Sequence, residues 1–122
     1  MYLKNARNVS YFGIIDRSST RAWEFKLMHG QDVLSLDNVD IVVEVYTSQL
    51  SPRLHVYSIV SNDTNTPVSD DGGEIRRNRG SWTLILSPSF LTKLDVGVLT
   101  FRVLYTADKF SCVNVITSGR LV

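Results

Sequence analysis

The residue types that most often bind metals or carry out catalysis are sparse in this sequence. His29, His55 and Cys112 lie far apart in the chain and have no partner at ligand spacing. A structural zinc site usually takes four ligands, so the simpler interpretation is two ordinary histidines and a small buried thiol. The sequence contains neither a Gly-x-Ser-x-Gly elbow nor a glycine-rich phosphate loop. We therefore expect no enzymatic activity, no metal and no cofactor.

A polar segment in the middle of the chain has the twelve-residue length of an EF-hand calcium loop. Asp63 and Glu74 would occupy its first and last positions. The fifth position is Pro67, however, and the sixth is Val68 where the EF-hand requires glycine. The flanking segments also have the pattern of strands instead of helices. The spacing is therefore interpreted as coincidence.

A cluster of positive charge follows this segment. Arg76, Arg77 and Arg79 fall within four positions. As a nucleic-acid site they would add about three phosphate contacts, too few for tight binding at physiological salt. Acidic residues immediately upstream partly neutralise them. The commonest explanation is a solvated hairpin, and the alternative is a protein interface, where arginine is enriched. Nucleic acid is not predicted as a partner.

Length and composition are those of one soluble globular domain. The chain has 122 residues, 43% hydrophobic and 20% charged, with a formal net charge of +1. So small a charge gives no overall attraction to nucleic acid or membranes. No apolar run approaches the roughly twenty residues of a membrane helix, and no signal-peptide core is present. A single cysteine excludes an internal disulfide and fits a reducing cytosol.

Alternation of apolar and polar residues dominates the chain from Arg21 onward. The segment RAWEFKLM puts its apolar residues on one face, and VDIVVEVYT and LTFRVLY show the same period of two. Turn signals recur every eight to twelve residues, which is typical of a sandwich or barrel. We predict an all-β fold, an antiparallel β-sandwich of about seven strands.

The connection between two of these strands is too long for a hairpin. Ser87 followed by Pro88 is a natural helix start, and Gly97 can end the segment with a positive φ. We predict one short helical turn at residues 88–94 that crosses from one sheet to the other. Three apolar residues recur at helical spacing within it, namely Phe90, Leu91 and Leu94.

The end of this connection resembles the E–F corner of immunoglobulin-like domains, which reads Asp-x-Gly/Ala-x-Tyr-x-Cys. Asp95, Gly97, Leu99 and Phe101 stand in those places. Leu99 lacks the hydroxyl of the tyrosine corner, and Phe101 replaces the cysteine. The resemblance implies an Ig-like antiparallel β-sandwich that differs from an antibody-type domain.

A second resemblance covers residues 21–108. The segments WEFKLMHGQDVLSLDNVDIVVEVY and GEIRRNRGSWTLILSPSFLTKLDVGVLTFRVLY are similar to Ig-like modules of tailed-phage virion proteins, such as the N-terminal domain of baseplate upper proteins. This resemblance implies a non-enzymatic structural protein of the virion, assembled in the host cytoplasm. A capsid auxiliary, decoration or head-fibre protein is favoured because a single domain suits a repeating lattice. The alternatives are a baseplate or tail component and a module that recognises carbohydrate or a host surface.

The first twenty residues carry a heavy apolar load ahead of the predicted sandwich of residues 21–122. Residues 1–20 are therefore an N-terminal arm that docks on a neighbouring subunit or an edge strand of the same domain, and Gly13 suggests a bulge. The expected partners are other virion proteins, either major capsid or tail subunits, and further copies of this chain. The residues predicted to contact them are Tyr2, Leu3, Tyr11, Phe12, Ile14, Arg76, Arg77 and Arg79.

Overall fold

Ten strands and one short helix make up the described part of the chain. The computed structural model describes residues 13–48, 56–61, 72–78 and 80–122. In chain order the elements are β1 (Gly13–Ile15), β2 (Arg21–Phe25), β3 (Met28–His29), β4 (Asp32–Val33), β5 (Asp40–Ser48), β6 (Tyr57–Ser61), β7 (Gly73–Arg77), β8 (Trp82–Leu86), α1 (Pro88–Leu91), β9 (Gly97–Ala107) and β10 (Phe110–Leu121).

The strands form two main sheets and a small hairpin. A five-stranded sheet has the order β1-β10-β9-β5-β6, and a three-stranded sheet has the order β2-β8-β7. All neighbours are antiparallel except β1 and β10, which are parallel. The hairpin consists of β3 and β4. This order reproduces the immunoglobulin arrangement, in which strands B, E and D face a G-F-C-C′ sheet.

The predicted all-β sandwich is therefore confirmed, and it contains more strands than the seven expected. The additional strands are short. β1 has three residues, while β3 and β4 have two each. Segments of this length contain too few alternating positions to give a periodic signal. Their existence depends on hydrogen bonds to neighbouring strands, which a local pattern does not reveal.

The connection between β8 and β9 contains the predicted helix in a shorter form. Regular helix ends at Leu91, and the N–H groups of Lys93 and Leu94 donate to the carbonyls three residues earlier, which continues it as a turn to Leu94. Pro88 occupies the first turn as expected. The Ser87 hydroxyl does not cap the helix, since it lies 2.8 Å from the Ser89 hydroxyl instead. Burial of the three apolar side chains therefore stabilises this turn more than capping does.

Aromatic side chains from both sheets form the centre of the core. Trp82 on β8 stacks on Phe25 of β2 with ring centroids 4.5 Å apart. Its indole N–H donates a 2.9 Å hydrogen bond to the Tyr105 hydroxyl on β9. Burial raises the pKa of that phenol, which therefore stays protonated. Trp23 and Phe101 meet edge-to-face at 5.0 Å, where antibody domains join strands B and F by a disulfide.

A bulge lies next to the first strand. The pairing of β10 with β9 shifts between Thr117 and Gly119, so this irregularity is on β10. The bulge suggested at Gly13 stays a prediction, because the residues before Gly13 lie outside the described part of the chain. Gly119 has φ +153°, and a Cβ there would lie 2.7 Å from the Gly13 carbonyl oxygen. Gly119 therefore pairs with Gly13 at a point where the backbones approach too closely for a side chain on Gly119.

Candidate interaction surfaces

Only some of the residues predicted to contact partners lie in the described part of the chain. Tyr2, Leu3, Tyr11, Phe12 and Arg79 fall outside the described residues. The other three, Ile14, Arg76 and Arg77, have defined positions. Ile14 lies on β1 with its side chain 73% exposed, and the two arginines lie on β7.

Arg77 links three parts of the fold through side-chain hydrogen bonds. Its Nε donates to the Ser61 hydroxyl at 2.9 Å, and its terminal nitrogens donate to the Ser61 carbonyl at 2.8 Å and the Leu36 carbonyl at 3.1 Å. A further hydrogen bond reaches the carbonyl of Val39. One guanidinium thus joins β7 to the end of β6 and to the segment before β5. These contacts account for Arg77 without a partner protein.

Arg76 points the other way, into solvent. Its guanidinium is 2.9 Å from the Glu74 carboxylate two residues earlier, and its side chain is exposed. An exposed pair of this kind contributes little to folding stability. β7 is an edge of the three-stranded sheet and contacts β6, whereas Ile14 lies at the opposite edge of the five-stranded sheet. The structure therefore does not bring Arg76 and Ile14 together on one surface.

The outer face of the five-stranded sheet carries an apolar row that sequence reasoning missed. Four residues directly opposite one another span the sheet, in the order Val113, Leu104, Val42 and Val60 on β10, β9, β5 and β6. The two end valines are at least 40% exposed, and the two central residues are half-buried. The outer face of an antiparallel sheet is usually polar. The signal in the sequence was consecutive apolar residues, as in the strand segment IVVEV.

A charged row runs beside the apolar row. In the same strand order it consists of Val115, Arg102, Glu44 and Ser58. Arg102 and Glu44 form an ion pair across the two central strands, and both side chains remain in contact with solvent. The two rows together form one surface that combines apolar area with one charge of each sign.

The edge formed by β1 is a third candidate surface. Among the described strands, β1 is the outermost strand on one side of the five-stranded sheet, and it pairs with Gly119, Arg120 and Leu121 of β10. Edge strands present backbone N–H and C=O groups to any strand that can approach. A further strand can therefore be added beside β1.

An open groove of about 620 Å³ lies at one end of the sandwich. The end of β4 and the segment after it, residues 33–37, form one wall, and Asn78 and Gly80 from the β7–β8 turn form the other. Its polar groups include Ser35 and Asp37, and no aromatic side chain lines it among the described residues. Such a groove offers hydrogen bonds but little area for stacking.

Catalytic and metal-binding chemistry has few candidates here. Within the described ranges, no group of three or more His, Cys, Asp or Glu side chains could hold a metal ion. Cys112 is half-buried, and burial raises the pKa of its thiol, which disfavours the nucleophilic thiolate. No helix in the described part of the chain is long and apolar enough to cross a membrane.

Comparison with known proteins gives no family for this chain. No protein-family model matches the sequence, and no curated protein is significantly similar to it. The functional argument therefore depends on the surfaces described above.

Proposed function

We propose that this chain is a non-enzymatic structural component of a tailed-phage virion, serving as a capsid auxiliary, decoration or head-fibre protein. Its task is to bind neighbouring subunits, either major capsid or tail proteins or further copies of itself. A baseplate or tail position is the nearest alternative. The proposal follows the resemblance of residues 21–108 to virion modules, and the sandwich with its open surfaces supports a binding role.

The observation that carries the proposal is the edge of the five-stranded sheet formed by β1. Among the described strands, β1 is the outermost strand on this side of the sheet and pairs with β10. A neighbouring subunit could supply a further strand beside β1 by β-strand addition, in which main-chain hydrogen bonds provide affinity.

Ile14 adds a side-chain contact to this edge. It lies on β1, and it exposes most of its side chain. Burying an isoleucine side chain fully contributes about 1.5–3 kcal/mol. Across a lattice, many copies with a modest interface each would still attach firmly because binding is multivalent.

Deletion of residues 1–12 tests the role of the N-terminal segment. We expect the truncated chain to keep its sandwich, since the described core begins at Ile15, and to lose at least tenfold of its incorporation into particles. Circular dichroism and thermal unfolding would check the fold, and quantitative mass spectrometry of purified particles would measure incorporation.

Matched substitutions in the full-length chain distinguish the loss of side-chain contacts from the loss of chain length. Replacing Tyr2, Leu3, Tyr11 and Phe12 by serine should reproduce most of the loss, whereas replacing Lys4, Asn5 and Asn8 by serine should not. Normal incorporation of both the truncated chain and the apolar variant would refute the role of this segment.

A second candidate function is recognition of carbohydrate or a host surface. The groove between residues 33–37 and the β7–β8 turn favours it, because hydroxyl, amide and carboxylate groups there can bind sugar hydroxyls. The absence of a lining aromatic side chain among the described residues makes this candidate weaker than subunit binding.

A further inference from the structure

We propose that the outer face of the five-stranded sheet binds a second copy of this chain, forming a weak two-fold symmetric dimer. The surface consists of the apolar row and the charged row defined above. This inference does not depend on the virion role, since it follows from the order of residues across the sheet alone.

The apolar row is the first reason to expect a partner. Its four side chains lie side by side on adjacent strands, so their exposed areas merge into one continuous strip. Val115, in the charged row, enlarges the strip and is 63% exposed. A contiguous apolar patch that exceeds scattered single residues is a common mark of a protein interface.

The second reason is that the surface is self-complementary, so that two copies of it can pack against each other. Consider a two-fold axis parallel to the strands and midway between β9 and β5. It places Leu104 of one copy over Val42 of the other, and each end of the apolar row over the opposite end. The same rotation places Arg102 over Glu44 of the second copy, twice by symmetry. Both apolar and charged residues therefore meet suitable partners, as an isologous interface requires.

The charges also select a second copy over an unrelated partner. In the monomer, Arg102 pairs with Glu44 while the two side chains remain 47% and 30% exposed. In the dimer, two such pairs would lie face to face with opposite charges adjacent in both directions. Four charges arranged in this way form a network, which is stronger than an isolated surface pair.

The area of the surface indicates how tightly the two copies should bind. Four strands spaced about 4.8 Å apart, with two rows about 7 Å apart, give a face of roughly 270 Å² on each copy. Such an area is about one third of a standard interface, which buries about 800 Å² per partner. We therefore expect a weak, reversible dimer with a dissociation constant on the order of 100 µM.

Complementary charge-reversal variants give a direct test. Arg102→Glu makes the centre of the charged row wholly negative, and Glu44→Arg makes it wholly positive. The full chain and each variant would be measured by sedimentation equilibrium from 5 µM to 1 mM. We expect the wild-type chain to dimerise, each variant alone to dimerise at least tenfold more weakly, and an equimolar mixture to recover dimers that contain one copy of each.

Each substitution also removes the ion pair within the monomer and could affect folding. Recovery of dimers in the mixture would show that both variants are folded, so the mixture is an internal control. Lys26→Glu and Glu24→Arg, exposed positions on and after β2 in the other sheet, make the same charge changes and should leave the dimer unchanged. A wild-type chain that stays monomeric at 1 mM would overturn the proposal. Variants that dimerise normally, or a mixture that remains monomeric, would also overturn it.

Discussion

Replacing Trp82 by alanine should destabilise the sandwich by about 3–5 kcal/mol, the largest effect expected for a single substitution here. The side chain is fully buried and stacks on Phe25. Its loss leaves a large cavity and also leaves the buried Tyr105 hydroxyl without its indole donor. Because small domains are stable by only about 5–15 kcal/mol, this variant should be close to unfolding. Urea denaturation monitored by circular dichroism would measure the change.

Two further variants separate the contributions of the tryptophan. Trp82→Phe keeps most of the packing but removes the hydrogen bond to Tyr105, so we expect an intermediate loss. Trp23→Ala removes the other tryptophan, which is only half-buried, and should cost less than Trp82→Ala. A free energy of unfolding within about 1 kcal/mol of wild type for Trp82→Ala would contradict this description of the core.

Replacing Arg77 by methionine should cost about 2–4 kcal/mol although the methionine is similar in length. The guanidinium donates to three backbone carbonyls and to the Ser61 hydroxyl, and methionine cannot replace any of these hydrogen bonds. Partly buried acceptors without donors are costly. Arg77→Lys should recover only part of the loss, because an ammonium group lacks the planar arrangement of donors that reaches several acceptors at once.

The adjacent arginine provides a matched control for this prediction. Arg76→Met makes the same chemical change one residue earlier on the same strand, where the side chain is exposed and forms an ion pair with Glu74. We expect a change of less than about 1 kcal/mol. Equal effects of the two substitutions on the urea midpoint would show that Arg77 does not connect the parts of the fold.

The sequence predicts the sandwich because its strands have buried and exposed faces that alternate. Trp82, Leu84 and Leu86 of β8 are all buried, as their period of two requires. The helical turn at Pro88 could be predicted for a similar reason, since a helix start and helical spacing occur together. These features depend on neighbours in sequence, and local physical rules describe such neighbours well.

Features that depend on pairing between distant strands could not be predicted. Arg76 and Arg77 are chemically identical in the sequence, and only the position of Ser61 and of the segment before β5 distinguishes them. The apolar row could not be predicted for the same reason, because Val42 and Leu104 become neighbours only through the register of β5 and β9. One residue of register shift would move either side chain to the opposite face of the sheet.

The composition of purified particles tests the proposed virion role most directly. Particles would be purified by density-gradient centrifugation from lysates of cells that produce this chain, and its copies per particle would be counted by quantitative mass spectrometry against the major capsid protein. We expect the chain to co-purify with intact particles at a constant ratio through repeated gradients. Recovery of the chain only in the particle-free fraction, with none in the purified particles, would contradict the proposal.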